Sequence, residues 1–477
     1  MVRHRGAHTR LPLLALVALL PLFIACSEDD PCVRDEHSSY AERAPFDVRS
    51  RVRRVDCGFS SNVAGMSTGA DGSAWLRRFE YKDRGEDTFF HPPDKLLTHV
   101  GAGGELLAEL TLPDFVIHHV VHPSGELTVF GWDTSRDEDP MAIQVRRLRA
   151  DGSVITTRRL VNETPPELRL DYKAAPDGTI TKMDLPEKER FASLLLARAD
   201  GEDTVFVAGL DGLRVGRLDS TLATRWLSPV APTVVLNLTT WEQMTALGAP
   251  LVGMGLDVDE HGRTHVATPM LGVQRLAYVH AFREHPMGPE TRSILLSSFS
   301  ATGELLSARA IPAPSPQEIT GLVVRKGAFA LGASERASAG GRPVLAPDLF
   351  FASGRLDAPV EEDLSLRLDV DRDDAPASFF ACGEGRYCFA GHTAFEPQET
   401  GPAWTDGQGF ILAVDARGTK QDALFLQGPR DTRVLTAVER PGGSAVFAFT
   451  TNEAPDKGRV ASHLKNNETW LGLLSTP

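Results

Sequence analysis

Two patterns of apolar and polar positions alternate along most of the chain. In the first, an apolar stretch meets a glycine-containing turn and continues as a period-two strand that ends near another glycine. Gly69–Trp75, His122–Gly131, Asp257–Val266, Val324–Gly332, Cys382–Gly391 and Pro441–Phe449 are its copies. In the second, an apolar strand, a polar turn and a Glu/Leu-rich strand follow one another, as in Val100–Leu106, Leu148–Val154, Phe299–Leu305 and Val414–Gly418. Leu218–Leu222, Leu356–Pro359 and Leu464–Glu468 have the same layout without the glycine. Turn residues between period-two strands predict hairpins. One hairpin of each kind makes a unit of four antiparallel strands.

The first-kind turns fall near residues 72, 125, 262, 327, 385 and 443. The long gap after 125 contains two more candidates, Pro176-Asp177-Gly178 and Ala199-Asp200-Gly201. The count is therefore seven units, or eight if both turns start one. Repetition of four-stranded units predicts an all-β chain folded as a single β-propeller. A pair of β-sandwiches is the structural rival, and the regular period argues against it. In an up-and-down unit the first–second and third–fourth turns share one face, and these are short. The second–third segments lie on the other face and are long, at about residues 80–95, 131–141, 268–292, 332–348, 391–408 and 450–459, against the usual ~2–5 of a hairpin loop. Loops gathered on one face of a repeat fold predict a binding face. Trp132, Asp133, His392, Trp404 and Asp406 lie in those segments and are the candidate contacts.

The first residues have a different character. Arg3, Arg5 and Arg10 precede an apolar run from Leu11 to Ile24, and small Ala25 precedes Cys26. This is the layout of a cleaved secretory signal, too short for the ~20 residues of a membrane-spanning helix. Phe23-Ile24-Ala25-Cys26 resembles the bacterial lipobox, although Phe23 stands where that motif prefers Leu. The resemblance implies that Cys26 is acylated and becomes the first residue of the mature chain. Ser27 after it implies the outer membrane rather than retention in the inner one. Glu28-Asp29-Asp30 reads as a solvated linker or, by resemblance, as a surface-export signal. The expected organisation is a signal peptide over 1–25, a lipidated N-terminus and polar tether over 26–56, and the propeller over 57–477.

Composition narrows the function classes. Loss of Arg3, Arg5 and Arg10 with the signal takes the net charge from −14 to −17. So acidic a chain is a poor partner for nucleic acid. Four cysteines remain besides Cys26, an even number in an oxidising compartment, and their proximity suggests Cys32–Cys57 and Cys382–Cys388 as disulfides. Gly409–Gly418 followed by Thr436–Gly443 is the clearest repeat copy, and over about 60–477 the chain resembles bacterial propeller-repeat lipoproteins. That resemblance implies an envelope location and carries no specific activity.

Motifs that could carry chemistry are few. Gly65-Met66-Ser67-Thr68-Gly69 matches G-x-S-x-G, but Asp71-Gly72 makes another turn where a nucleophile elbow needs a helix. His118 and His122 would share a strand face about 13 Å apart, too far for one metal. Asp369–Asp374 resembles the opening of a calcium loop, with Asp374 and Phe380 where that loop needs Gly and Glu. No catalytic or metal-ligating residue is assigned and no cofactor is expected, calcium being the one alternative. The sequence thus predicts a lipid-anchored, extracytoplasmic binding or scaffolding module for an envelope protein or glycan. A hydrolase or lactonase-like propeller with a metal at the channel mouth and a purely structural spacer are the alternatives.

Overall fold

Period-two strands that are apolar at nearly every position need cover on both faces, and the fold supplies it. The computed structural model describes residues 36–37, 41–43, 51–55, 60–81, 94–112, 116–133, 142–160, 172–174, 180–182, 193–209, 213–230, 253–271, 276–277, 282–283, 292–313, 317–339, 342–370, 374–393, 397–398, 401–402, 408–426, 431–452 and 467–474. They form seven blades of four antiparallel strands, named a to d in sheet order. Blade 1 is Ser60–Thr68, Ala74–Tyr81, Asp94–Val100 and Leu106–Thr111, and blade 2 is Val116–Val121, Leu127–Asp133, Ala142–Leu148 and Val154–Leu160. Blade 3 is Ser193–Asp200, Asp203–Gly209, Leu213–Leu218 and Thr224–Pro229, and blade 4 is Gly255–Val258, Thr264–Leu271, Arg292–Phe299 and Leu305–Ala313. Blade 5 is Gln317–Arg325, Ala328–Ala339, Arg342–Arg355 and Leu364–Leu368, and blade 6 is Ala375–Ala381, Arg386–Thr393, Gln408–Asp415 and Lys420–Leu426. Blade 7 takes strands a to c from Asp431–Glu439, Ala445–Asn452 and Asn467–Leu474, and its strand d from Arg51–Arg54. The a strands touch in succession, and that of blade 7 returns to that of blade 1. Strand a is therefore innermost and the ring is closed. The one helical turn among the described residues is Val360–Glu362.

The hydrophobic core is divided among the seams. Seven clusters of buried side chains each lie between two neighbouring blades. Strand parity explains how one strand feeds two of them. In strand c of blade 6, Phe410, Leu412 and Val414 join the cluster shared with blade 5, while Ile411 and Ala413 join the one shared with blade 7. In strand b of blade 7, Ala445, Phe447 and Phe449 face blade 6, and Val446 and Ala448 face blade 1.

Short turns join a to b and c to d, and most share one pattern. His122 donates its N–H to the Glu126 carbonyl (2.9 Å) while Gly125 donates to the His122 carbonyl (2.8 Å), with Gly125 at φ 81°. The left-handed residue is glycine because a Cβ there costs about 1–2 kcal/mol. In the turn without glycine, Leu222 takes this position at φ 66°, and its buried side chain in the blade 2–3 core offsets the strain. At Gly303 a Cβ would also stand 2.6 Å from the indole of Trp226 in blade 3, so the turn is shaped for its neighbour. Side chains bind turn carbonyls of the next blade around this face. Arg158 donates to Leu222 (2.8 Å), Trp226 to Ala301 (2.9 Å), Ser353 to Ala416 (2.7 Å) and Arg440 to Gly72 (2.8 Å).

Several expectations are refined. The count is seven, not eight: Asp200-Gly201 is the a–b turn of blade 3, and residues 175–179 join a separate two-stranded hairpin, Tyr172–Ala174 with Ile180–Lys182. The turn expected at Leu464–Glu468 does not join strands c and d, because Asn467–Leu474 is strand c itself and strand d is Arg51–Arg54, drawn from the segment read as tether. Two further N-terminal pieces are paired, Glu36–His37 on Arg51–Arg54 and Ala41–Arg43 on strand d of blade 6. Residues 332–348, read as a loop, are mostly one long hairpin, Ala328–Ala339 with Arg342–Arg355. The Cys382–Cys388 disulfide is present, with Cα atoms 5.7 Å apart across the a–b turn of blade 6. Cys26, Cys32 and Cys57 lie outside the described residues.

Removing residues 1–54 deletes strand d of blade 7. We expect a loss of roughly 3 kcal/mol, at about 1 kcal/mol per ladder hydrogen bond. Urea unfolding of the truncated and full-length chains measures it; equal midpoints would show that the strand does not close the ring.

Candidate functional site

Antiparallel order assigns each connection to a face. The b–c connections cover residues 82–93, 134–141, 272–291, 394–407 and 453–466, with the shorter 210–212 and 340–341 in blades 3 and 5. The d–a connections lie on the same face and include 161–192 and 230–254. Among the described residues, the opposite face carries the a–b and c–d turns, the longest being 356–363. Trp132 and Asp133 end strand b of blade 2 at the loop-bearing face, paired with Ile143 and Ala142. His392 holds the matching place in blade 6, paired with Ala375 and Gly409. Burial, followed by the nearby Arg433 of blade 7, drives the His392 pKa down to about 3, so the ring is neutral. Trp404 and Asp406 lie outside the described residues.

At the short-turn mouth, charged side chains from four blades meet across the ring. Asp257, on strand a of blade 4, is fully buried and accepts from Arg198 of blade 3 (3.0 Å) and Arg325 of blade 5 (2.8 Å). Its oxygens also accept the backbone N–H groups of Val258 (2.9 Å) and Val324 (2.7 Å). Arg325 reaches on to Glu439 of blade 7 at 3.6 Å. Burial pushes the Glu439 pKa up, and Arg325 and Arg198 oppose it. Two arginines and two carboxylates balance, and every acid is paired. This cluster holds inner strands together. The four residues sit at or near the ends of four a strands, a regularity invisible without the blade register.

A second convergence lies at the loop-bearing end of blades 5 and 6. Carboxylate oxygens of Asp348, Asp369 and Asp374 come within 4.8 Å of one another. The suspect segment 369–374 supplies two of them, and Asp348, in strand c of blade 5, is the member that sequence spacing hid. Asp374 is fully buried and accepts the Val370 N–H at 2.6 Å. Arg367 pairs with Asp348, and Lys420 donates to the Asp369 carbonyl, which offsets part of the negative charge. Oxygen-only donors of this kind suit a hard divalent cation such as calcium, which takes about 6–8 oxygens.

The histidines and serines flagged by motif are structural. Ser67 lies within strand a of blade 1 and donates to the His119 carbonyl (2.9 Å). His119 donates from Nε2 to the Trp75 carbonyl (2.9 Å), and His122 donates from Nδ1 to the Gly201 carbonyl (3.1 Å) while Nε2 accepts from Thr128 (2.8 Å). Burial lowers their pKa values to about 3 and about 4, and that of His118 to about 4. In blade 4, Asp259, His265 and Ser298 follow the order of a hydrolytic triad, with His265 Nε2 at 3.3 Å from Asp259 and Nδ1 at 2.9 Å from Ser298. The three are 5%, 0% and 4% exposed, so substrate has no access to the serine. His265 and Ser298 are a cross-strand pair, and the trio locks the a–b turn onto strand c.

No protein-family model and no curated protein matches the sequence. Among solved structures, the chain is similar to the PQQ domain of pyranose dehydrogenase from Coprinopsis cinerea, at 13% identity over 91% of this chain and 97% of that one, TM-score 0.40. It is similar to a prolyl endopeptidase at 12% identity over 82% of this chain, TM-score 0.41, and spans 45% of that protein's length. Drosophila Semaphorin 1b, extracellular domains 1–2, matches at 10% identity over 87% and 86% of the two chains, TM-score 0.37. At these identities no residue role passes from one chain to another.

Two outcomes follow from the buried polar groups. His118, His119 and His122 are proton-poor when folded and bind protons near pH 6.5 when unfolded. Stability is therefore complete above pH 6.5 and falls as pH drops toward 4, by at most about 1.4 kcal/mol per pH unit for each histidine. His119→Gln is expected to flatten this slope in urea titrations from pH 7 to 4; an unchanged slope would remove His119 from the effect. Asp257→Asn turns an amide toward donors that need an acceptor, and we expect a loss of about 2 kcal/mol. A melting temperature equal to wild type would show that the cluster does not brace the ring.

Proposed function

We propose that this chain is an exported, lipid-anchored binding module of the cell envelope that engages a protein or glycan through its loop-bearing face. One observation carries the reading: the longest connections fall on one side of a rigid ring whose other side is held by short turns. Loops on a fixed scaffold can vary in sequence without disturbing the fold beneath them. Trp132, Asp133 and His392 end strands on that side, which favours them as anchors for contacts made by the adjoining loops. The anchor is acylated Cys26, with the outer membrane as the preferred site and the Cys32–Cys57 bridge near it.

A second reading is a metal-dependent hydrolase, favoured by the convergence of Asp348, Asp369 and Asp374. Against it stands the pairing of Asp348 with Arg367, which leaves that carboxylate committed to a cation of the protein's own.

The experiment replaces connections 134–141, 394–407 and 453–466 with two-residue turns. Wild type and variant are then compared for binding to immobilised envelope glycans and for crosslinking in intact cells. We expect the variant to fold and to lose binding at least tenfold. Equal binding by both would overturn the loop-face reading, and calcium-dependent turnover of lactones or esters, abolished by Asp374→Asn, would establish the hydrolase. Labelled fatty acid is expected to enter the wild type and not Cys26→Ala.

A further inference from the structure

Blade 1 holds an arginine that no acid faces. Arg77 and Arg78 are neighbours on strand b, and alternation sends them to opposite sides of the sheet. Arg78 is fully buried and meets Glu80 (3.0 Å) and Glu109 (2.7 Å). The buried arginines Arg147, Arg217 and Arg309 likewise each face a carboxylate. Arg77 meets none among the described residues. It reaches inward through the seam between blades 1 and 2, donating from Nη1 to the Val116 carbonyl (2.8 Å) and from Nη2 to the Ala64 carbonyl (2.7 Å). Gly65 makes room for it: a Cβ there would stand 3.5 Å from Nη2. Two of its five N–H groups are used, and Nε–H has no partner. Burial pulls its pKa down to about 10 with no carboxylate opposing the shift, so the guanidinium stays charged. His118 and His119 beside it are neutral, and Arg77 helps keep them so. A part-buried charge without a counter-charge is costly to keep.

The carbonyls that Arg77 holds mark one level of the ring. Six of the seven a strands carry a β-bulge four or five residues before their last residue. The bulged residues are Ala64, Ile117, Leu195, Thr320, Ala377 and Leu435, and none is charged. A bulge re-aims the residue left out of the ladder. Ala64 and Ala377 are exposed, and Thr320 and Leu435 partly so. Each belongs to the innermost strand of its blade, so the space they face is the axis of the ring. Toward the short turns that axis is crossed by Asp257, Arg325 and Glu439 of blades 4, 5 and 7, so a ligand enters from the loop-bearing face.

One cation on an otherwise uncharged wall selects among ligands. A dianion such as phosphate would lose more hydration than one guanidinium returns. An uncharged molecule would leave Arg77 without a counter-charge. A monocarboxylate can form a charge-assisted pair with Arg77 while its apolar body covers Ala64, Ala377 and Leu435.

We propose that the axis of the ring, at the level of the bulges, binds a small monocarboxylate with an apolar body, its carboxylate on Arg77. The site does not depend on a partner held by the loops. The test titrates hexanoate into the full-length chain by calorimetry. We expect saturable binding at least tenfold tighter than that of acetate or sulfate, and none of hexanamide. Arg77→Gln keeps an N–H for a bulge carbonyl and drops the charge, and is expected to bind hexanoate at least tenfold more weakly. Ala64→Glu serves whether or not that variant folds. Its position is exposed, and the new carboxylate would fill the site from within. We expect it to melt above wild type and to bind no hexanoate. The variant with shortened loops should bind hexanoate as wild type does, which separates this site from the loop-face reading. Absence of saturable hexanoate binding, equal affinity for hexanamide, or unchanged affinity in Arg77→Gln or Ala64→Glu would overturn the proposal and leave Arg77 as a clamp on two carbonyls. Sulfate binding as tight as that of hexanoate would assign the site to inorganic anions instead.

Discussion

Closure of the ring is the constraint on which the rest depends. Each blade is apolar on both faces, and neither face can be covered except by a neighbour. Seven separate core clusters, one per seam, replace the single core of an ordinary domain. A missing or shifted blade would therefore expose two apolar faces at once. This explains strands such as 410–414, with no polar interruption, in a chain that is otherwise acidic. It also explains why polar residues inside the sheets are bonded in sets, as with His122, Thr128 and Thr204, where a lone buried group would cost about 1–3 kcal/mol.

Charge follows the same geometry. At the short-turn mouth, Asp257 lies between arginines of the blades on either side, and Arg325 extends the chain of pairs toward blade 7. These contacts tie non-adjacent parts of the ring across its axis, where hydrophobic seams cannot reach. The face bearing the long connections carries a different arrangement, three aspartates brought together from a strand and a following connection. One end of the ring is thus electrostatically self-satisfied. The other holds more like charge than its own cations, Arg367 and Lys420, oppose.

The sequence was informative where structure is local and silent where it is not. Glycine at the left-handed position marks most of the short turns, because φ near +80° leaves few alternatives, so the repeat and the face assignment could be read directly. The Cys382–Cys388 bridge was legible because only five residues separate its ends across a turn. Ring closure was hidden: Arg51–Arg54 is basic and short, and its partner strand is at the other end of the chain. The same limit applies to Asp348, Asp259 and Ser298, whose partners are brought to them only by blade register. The long hairpin of blade 5 has the sequence character of a loop because period two in Ala328–Ala339 fades into small polar residues while the backbone pairing continues.

The paired N-terminal strand has a mechanical consequence. Nine residues separate Cys26 from Glu36, so ten steps of chain span at most about 35 Å between them. Any force applied through the N-terminus enters the molecule at the outer edge of blade 7. It is carried first by the ladder of Glu36–His37 on blade 7, next by that of Ala41–Arg43 on blade 6, and then by that of Arg51–Arg54 on blade 7. The joint under load is the seam where the two ends of the chain meet, and a pull strong enough to strip the edge strand of blade 6 and then Arg51–Arg54 would uncover strand c of blade 7.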